Sequence, residues 1–163
     1  STQVLTLFPY TTLFRSMGFT PAYNPFAWLA EHAWAYPALE VVHIAGIALL
    51  VGNLAALELR VWGAAAELPL QALARLSLSL AVAGFGVVAL SGLLMFASQP
   101  ADLIANRAFV VKIGLVMLAG LNAAAFHARG GLRRLDAFAR AQTIVSLGLW
   151  LTAMICGRWI AYL

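Results

Sequence analysis

The chain has 163 residues and a formal net charge of +4, and 63% of its residues are hydrophobic while 10% are charged. Soluble domains average about 45–50% apolar and about 25% charged residues, so this composition excludes an ordinary soluble domain. The basic residues lie at the ends of apolar runs, which is typical of membrane proteins, and no nucleic-acid partner is expected. Cys156 is the only cysteine, which excludes an internal disulfide and a thiolate metal cluster.

The N-terminal segment contains a stretch that is foreign in character. Residues 6–16, TLFPYTTLFRS, resemble the translation of a widely used sequencing-library adapter, and Met17 follows them as a suitable start residue. A natural presequence would have a cationic start and a suitable apolar stretch, and both are lacking. Residues 1–16 are therefore interpreted as non-native and left out of the fold prediction. We expect them to have no stable packing partner.

Residues 17–36 form an interfacial N-terminal segment rich in proline and aromatic residues. Pro21 and Pro25 disfavour regular structure. The stretch 26–36 contains aromatic side chains suited to the headgroup region, namely Trp28, Trp34 and Tyr36. A short helix lying in the interface is predicted here. Pro37 suits the first turn of the helix that follows.

Four apolar stretches come next, and each approaches the roughly 20 residues that a helix needs to cross about 30 Å of hydrocarbon. They cover residues 37–62, 70–98, 107–128 and 138–162. Pro100 ends the second span, and Asn106 is a suitable N-cap for the third. Since the connections are short, an all-α, up-down four-helix bundle is predicted for the transmembrane domain, residues 37–163. Strands are excluded, because an open sheet cannot satisfy its backbone in lipid.

The distribution of Lys and Arg predicts how the bundle is oriented. The side that holds the connections after the first and third spans carries Arg60, Arg75, Arg129, Arg133, Arg134 and Arg140. The opposite side carries Arg107, Lys112 and Arg158. The positive-inside rule places the richer side in the cytoplasm of a bacterial inner membrane, with both termini outside.

A faint internal repeat relates the first span to the third. Residues 43–60 align without gaps with residues 112–129. Identical aligned positions include Asn53 with Asn122 and Arg60 with Arg129. The second and fourth spans match weakly, through Ser91-Gly92 and Cys156-Gly157. The alignment suggests a tandem of two helical hairpins, related by an axis along the membrane normal.

Four charged or titratable residues fall in one layer near the predicted outer ends of the spans. We call this set the outer polar cluster: Glu40, His43, Lys112 and Arg158. By the helical rise they lie roughly 5–9 Å below the hydrocarbon boundary, where charge is costly. We expect Glu40 to balance Lys112 or Arg158, with His43 hydrogen-bonded beside it. Two alternatives stay open: the long cations snorkel to the headgroups, and His43 is a ligand or a proton-transfer group.

A second set, the inner polar layer, lies toward the predicted cytoplasmic side and consists of Asn53, Glu58, Asn122 and His127. The two asparagines fall at matching depth and are interpreted as interhelical contacts worth about 0.6–2 kcal/mol each. Glu58 is interpreted as part of an interfacial ion pair with His127 or Arg75. Small residues on the first and third spans favour close helix packing: Gly46, Gly52, Ala56, Gly120 and Ala124.

Haem is the one cofactor that the sequence suggests. His43 and His127 cannot share an iron, because the helical rise places them about 20 Å apart in depth. A haem on His43 would need a second ligand on the same side, and the candidates are His32, Met95 and Met154. The sequence contains no phosphate-binding loop, zinc-protease helix or recognisable Ser/His/Asp set.

Three stretches carry a resemblance to a known family: LEVVHIAGIALLVGNLAALELRVWG, AFVVKIGLVMLAGLNAAAFH and CGRWIAY. They resemble a family of small bacterial four-span membrane proteins that is named only for a domain of unknown function. The resemblance covers residues 17–163 and rests on His43, Glu-Leu-Arg at 58–60, Lys112, Leu-Asn at 121–122, His127 and Gly-Arg at 157–158. More distantly, the helical layout is similar to copper-resistance protein D and to cytochrome b membrane subunits, which implies haem b. The chain departs from the cytochrome pattern, since no two histidines share one depth on separate spans.

Three functional hypotheses follow, and all have the lipid bilayer as the solvent of the protein. The first is a non-enzymatic binding or accessory module that holds a ligand, a protein partner or a second copy through the outer polar cluster. The second is a redox carrier with haem b on His43. The third is a cation or proton conduit that uses Glu40, His43, Asn53, Asn122 and Glu58.

Overall fold

The structure, a computed structural model, describes residues 24–162, and this part of the chain forms seven helices and no strand. They are α1 (Ala27–Glu31), α2 (Ala35–Val61), α3 (Leu70–Ser98), α4 (Pro100–Ala105), α5 (Arg107–Ala128), α6 (Gly131–Arg134) and α7 (Ala137–Trp159). Four of them, α2, α3, α5 and α7, are long and apolar enough to cross a membrane. The predicted all-α fold with four spans is confirmed. The adapter-like stretch and residues 17–23 lie outside the described residues.

The helices begin and end where the local sequence provides the signals. Pro100 begins α4 and so ends α3 close to the predicted position. The Asn106 side chain accepts hydrogen bonds from the backbone N–H of Ala108 and Phe109 at 2.9 and 3.2 Å, which caps α5 as predicted. Asp136 caps α7 in the same way, through the N–H of Ala139 at 2.7 Å.

The predicted interfacial helix over residues 26–36 is shorter in the structure. Only Ala27–Glu31 is helical before the chain turns into α2 at Ala35, so Pro37 lies in the first turn of that helix. Asn24 ties this segment to the end of α3, because its side-chain amide donates to the carbonyls of Ala97 and Ser98 at 2.8 and 3.2 Å. Trp34 is 78% exposed, as expected for an anchor in the headgroup region.

The spans form two helical hairpins that pack side by side. α2 packs against α3, α5 packs against α7, and a smaller contact between α2 and α7 joins the two pairs. Aromatic contacts add to this junction: the rings of Phe96 and Phe109 are stacked with centroids 5.6 Å apart, and Phe85 meets Trp150 edge-on at 6.3 Å. We call the end with residues 62–69 and 129–136 the Arg-rich end, and the opposite end the Arg-poor end.

Large apolar side chains cover the outside of the bundle, while many of the buried side chains are small or polar. Val82, Leu90 and Leu121 are 70%, 69% and 65% exposed, whereas Ala119 is 2% exposed. Buried polar residues include Ser77, Ser91 and Thr143. This inside-out distribution suits lipid, because helices in a bilayer associate through small residues and hydrogen bonds instead of through burial of large apolar side chains.

Candidate functional site

His43 is held in place by the partner helix of its hairpin. The Ser91 hydroxyl donates to the carbonyl of Val87 at 2.6 Å and lies 2.9 Å from Nδ1 of His43. Since the hydroxyl proton is used by Val87, the serine oxygen accepts from Nδ1–H. The ring also lies against Gly92, where an added Cβ would come within 3.2 Å of Cε1.

Lys112 occupies an equivalent place in the other hairpin. Its side chain lies along Gly157 of α7, with Nζ 3.5 Å from the position that a Cβ would take. Lys112 is half-buried at this place, and Cys156, the residue before Gly157, is buried. His43 and Lys112 therefore lie against corresponding glycines of the two hairpins.

The other two members of the cluster do not join them as expected. Glu40 is exposed and forms no ion pair with another residue of 24–162. The ion pair in this part of the chain joins Arg129 and Asp136 at the Arg-rich end, with 3.4 Å between the guanidinium nitrogen and the carboxylate oxygen. Arg158 is exposed too and donates to the Tyr162 hydroxyl at 2.6 Å. The expected balance of Glu40 with Lys112 or Arg158 is not formed in the described structure, because the two exposed side chains lie on the surface of the bundle.

Repeat-related residues have similar surroundings in the two hairpins. His43 and its aligned residue Lys112 each lie against a glycine of the partner helix, Gly92 and Gly157. Buried residues also recur at matching positions of corresponding helices in the two hairpins. The matching buried pairs are Leu50 and Ala119, Leu57 and Phe126, Ala74 and Ala139, and Ser91 and Cys156. This correspondence supports the tandem of two hairpins that the sequence suggested.

Glu58 is the carboxyl group that the fold buries. The residue is 4% exposed, and its Oε2 atom has no hydrogen-bond partner among residues 24–162. It faces α7, where the Ser146 hydroxyl lies beside the carboxyl. The predicted ion pair with His127 or Arg75 is wrong for the described structure, because both of these residues are exposed on the bundle surface while Glu58 points into the junction of the hairpins.

The remaining members of the inner polar layer behave differently from one another. Asn122 makes an interhelical contact, since its side-chain amide donates to the Gln142 carbonyl of α7 at 2.9 Å. The Asn53 side-chain amide donates to the Leu49 carbonyl of its own helix at 2.7 Å. Within residues 24–162 it makes no hydrogen bond to another span. His127 is exposed at the Arg-rich end, with its ring edge-on to Phe126.

Sequence reasoning missed the polar face of α7 that completes this layer. Thr143 and Gln142 are buried at 6% and 8% exposure. Thr143 accepts a hydrogen bond from the indole N–H of Trp62 at 2.8 Å, and Trp62 is one helical turn from Glu58 on α2. The Gln142 side-chain oxygen accepts from the Arg129 guanidinium at 3.4 Å. The available signal was their spacing, since Gln142, Thr143 and Ser146 recur at helical intervals on one face of an apolar span.

The candidate haem ligands remain a prediction. Met95 is half-buried, one turn beyond Ser91 on α3, and Met154 is 40% exposed at the bundle surface. Within residues 24–162, no group of three or more His, Cys, Asp or Glu side chains is arranged to hold a metal ion.

The fold and its buried polar groups define the class of protein: a multi-pass α-helical membrane protein with polar side chains inside the bundle. A comparison of the chain with protein-family models, curated proteins and solved structures finds no match. The resemblance to the small bacterial four-span family stays a prediction.

Proposed function

We propose that the protein is a membrane-embedded binding module whose site is the carboxyl group of Glu58. The observation that carries the proposal is that this carboxyl is buried at 4% exposure with one oxygen unpartnered among the described residues. An ionised carboxylate in a medium of low dielectric constant is strongly disfavoured unless a positive charge accompanies it. Ionisable groups inside a membrane bundle commonly mark ligand or ion sites.

The surroundings of Glu58 favour a singly charged ligand. The groups facing the carboxyl on α7 are hydroxyls, those of Ser146 and, one turn away, Thr143. One carboxylate with neutral oxygen neighbours is a weaker ligand set than the several carboxylates that hard divalent cations require. We therefore assign the site to a proton or to a small monovalent cation.

Trp62 separates the site from the Arg-rich end. It lies four residues beyond Glu58 on the same face of α2, and its indole N–H donates to Thr143 across the hairpin junction at 2.8 Å. A ligand that arrives from the Arg-rich end would pass this contact. We propose that the hydrogen bond between Trp62 and Thr143 limits access to Glu58.

The middle of the bundle favours binding over conduction. Between the levels of Glu58 and His43 the buried side chains are apolar, as at Leu50, Ala81 and Ala119. Asn53 is the polar residue at this depth on α2, and its side-chain amide donates a hydrogen bond to a carbonyl of its own helix. A continuous polar path would be needed for a conduit, so the conduit hypothesis ranks behind the binding module.

The surplus of arginine at the Arg-rich end supports an orientation. We propose that this end faces the cytoplasm of a bacterial inner membrane, with both termini outside. Glu58 would then exchange its ligand with the cytoplasm.

Dicyclohexylcarbodiimide, which reacts with protonated carboxyl groups in apolar surroundings, tests the proposal. Native membranes are labelled, and the modified glutamates are assigned by peptide mass spectrometry. We expect labelling at Glu58 that falls as the pH is raised, and a protective effect of Na⁺ or K⁺ at constant pH if the ligand is a metal cation. In Thr143→Val the hydrogen bond with Trp62 is lost, and a bond of about 1 kcal/mol corresponds to an about fivefold change in how often the contact opens. The labelling rate at Glu58 should therefore rise about fivefold.

Glu58→Gln is the control for assignment, and Glu67, in the exposed connection between α2 and α3, is the control for reagent access. Absence of labelling at Glu58 in both the unmodified protein and Thr143→Val would contradict the proposal. So would labelling that responds neither to pH nor to cations.

A further inference from the structure

Three exposed arginines lie close together along the chain at the Arg-rich end. Arg133 and Arg134 are on α6, in the connection between α5 and α7, and Arg140 is in the first turn of α7. We call these three residues the arginine surface. Within residues 24–162, no carboxylate oxygen lies within 4.0 Å of their guanidinium groups. Residues 1–23 contain no Asp or Glu.

The carboxylate that belongs to this connection is engaged elsewhere. Asp136 is the acidic residue of the stretch 129–140. It accepts from the Arg129 guanidinium at 3.4 Å and from the backbone N–H of Ala139 at 2.7 Å. Arg129 also lies over the Phe138 ring, 4.1 Å from its centroid. The charge of Asp136 is therefore balanced by Arg129, and the positive charge of the arginine surface is left for a ligand.

The backbone holds the turn that carries the first two arginines. Gly130 and Leu135, on either side of α6, both adopt the left-handed conformation, with φ of 67° and 46°. The backbone N–H groups of both arginines donate to the Gly130 carbonyl at 2.9 and 3.1 Å. Gly131 lies against the buried ring of Phe126, since an added Cβ would come within 2.5 Å of Cε2. A defined turn loses less conformational freedom on binding than a flexible loop would lose.

The first hairpin has no equivalent of this turn. Its connection, residues 62–69, contains Glu67 and no Lys or Arg. Arg60, which aligns with Arg129, donates to two carbonyls of its own connection at 2.9 Å each. Each hairpin therefore has one arginine that holds its connection, and the second hairpin has two more on α6. Since the first hairpin folds without such a pair, the hairpin fold does not require it.

The position of the arginine surface favours a lipid ligand. α5 ends at Ala128 and α7 begins at Ala137, so this connection lies where two spans leave the hydrocarbon. Arg140 is about 5 Å from the start of α7 by the helical rise, and its long side chain can reach the headgroups. Phe138 lies in the same turn and is 55% exposed. An aromatic ring beside arginines at this level is typical of the membrane interface.

We propose that the arginine surface binds the headgroups of anionic phospholipids. A guanidinium group binds phosphate through two parallel N–H···O bonds, which gives both charge and geometry. Basic clusters next to the end of a transmembrane helix attract anionic headgroups. A zwitterionic headgroup has the same phosphate but also a positive charge, so the surface should select lipids with a net negative charge.

The test measures ligand binding to the full chain in detergent by native mass spectrometry. Three probes are titrated: dioleoylphosphatidylglycerol, dioleoylphosphatidylcholine and a hexaglutamate peptide. We expect phosphatidylglycerol to bind at least about tenfold more tightly than phosphatidylcholine, because each surface arginine contributes about a fivefold preference. Equal binding of the two lipids would overturn the proposal. Tighter binding of hexaglutamate than of phosphatidylglycerol would assign the surface to an acidic protein segment and would also overturn it.

The double variant Arg133→Gln, Arg134→Gln should bind phosphatidylglycerol at least about tenfold more weakly, for the same reason. The matched control is the double variant Arg75→Gln, Arg107→Gln, which removes two exposed arginines from other parts of the chain and causes the same change in net charge. It should leave the binding unchanged. Equal binding by the first variant and the unmodified protein, or an equal loss in both variants, contradicts the proposal.

If the first double variant is not recovered folded, Arg140→Gln is compared with Arg75→Gln. These two arginines occupy corresponding places, since each follows a buried alanine near the start of its helix, Ala139 and Ala74. Weaker binding of phosphatidylglycerol is expected in Arg140→Gln and not in Arg75→Gln, and equal binding by the two variants would reject the lipid surface.

Because Glu58 is unchanged in these variants, failure here leaves the proposed cation site standing, and failure of the carbodiimide test leaves the arginine surface standing.

Discussion

Gly46 and Gly84 allow α2 and α3 to approach until their backbones touch. A Cβ added to Gly84 would lie 2.7 Å from the backbone nitrogen of Leu50 and 2.9 Å from the carbonyl oxygen of Gly46. These neighbours are backbone atoms, which cannot rotate away as a flexible side chain can. The same hairpin also holds His43 against Gly92, so the position of the imidazole depends on this close approach.

We predict that Gly84→Ala destabilises the bundle by about 1–3 kcal/mol, the usual cost of overpacking a tight contact. The measurement is unfolding in mixed detergent micelles with increasing sodium dodecyl sulfate, followed by circular dichroism. Gly86→Ala is the matched control, because a Cβ at Gly86 meets nothing within 4 Å and alanine is the better helix former. Equal stabilities of Gly84→Ala and Gly86→Ala would contradict the close backbone contact between α2 and α3 at Gly84.

At the level of helices, caps and short connections determine where each span begins. Asn106 has two functions at the start of α5: it caps that helix, and its side-chain amide donates to the carbonyl of Ile160 beyond the end of α7 at 3.1 Å. Asp136 also has two functions, as the cap of α7 and as the partner of Arg129. The second hairpin is therefore tied by polar contacts at both of its ends.

Asn106→Ala should cost about 0.5–2 kcal/mol, because the substitution removes the cap. Asn106→Asp keeps the capping oxygen but loses the donor to Ile160, so its loss should be smaller. Asp136→Asn keeps a capping oxygen and removes the charge of a half-exposed ion pair, which is worth less than about 1 kcal/mol. Detergent unfolding ranks the three variants. A loss in Asp136→Asn that exceeds the loss in Asn106→Ala would contradict this order.

On the scale of the whole molecule, charge is divided between the two ends of the bundle. Arginines cluster beside the connections at the Arg-rich end, while the Arg-poor end presents aromatic residues such as Trp34 and Tyr162, which are 78% and 69% exposed. The proposed cation site at Glu58 lies in the half of the bundle near the Arg-rich end.

The proposed orientation predicts the outcome of reporter fusions. Alkaline phosphatase fused to the C-terminus should be active and a fluorescent protein at the same place dark, because the proposed orientation places that end outside. Fusions made after Arg134, in the connection between α5 and α7, serve as the opposite control and should show the reverse. A fluorescent C-terminal fusion together with a dark fusion after Arg134 would invert the topology and move access to Glu58 to the outer side.

The amino-acid sequence by itself determined the fold class and the four spans. Length and apolarity of each span are local properties, and Pro100 and Asn106 act on their own helix ends, so the second and third spans agree with the structure at both ends. Hydrogen bonding within each helix satisfies the backbone without help from the rest of the chain.

Only the tertiary structure decided which polar side chains face one another. The sequence predicted a paired Glu58, and the structure buries it against α7 instead. It also seated His43 and Lys112 on glycines of their partner helices and left Glu40 and Arg158 on the surface. The physical reason is that hydropathy gives the depth of a residue in the membrane, whereas its partner depends on the rotation of each helix about its axis. That rotation is determined by contacts between helices, such as the crossing of Gly46 and Gly84.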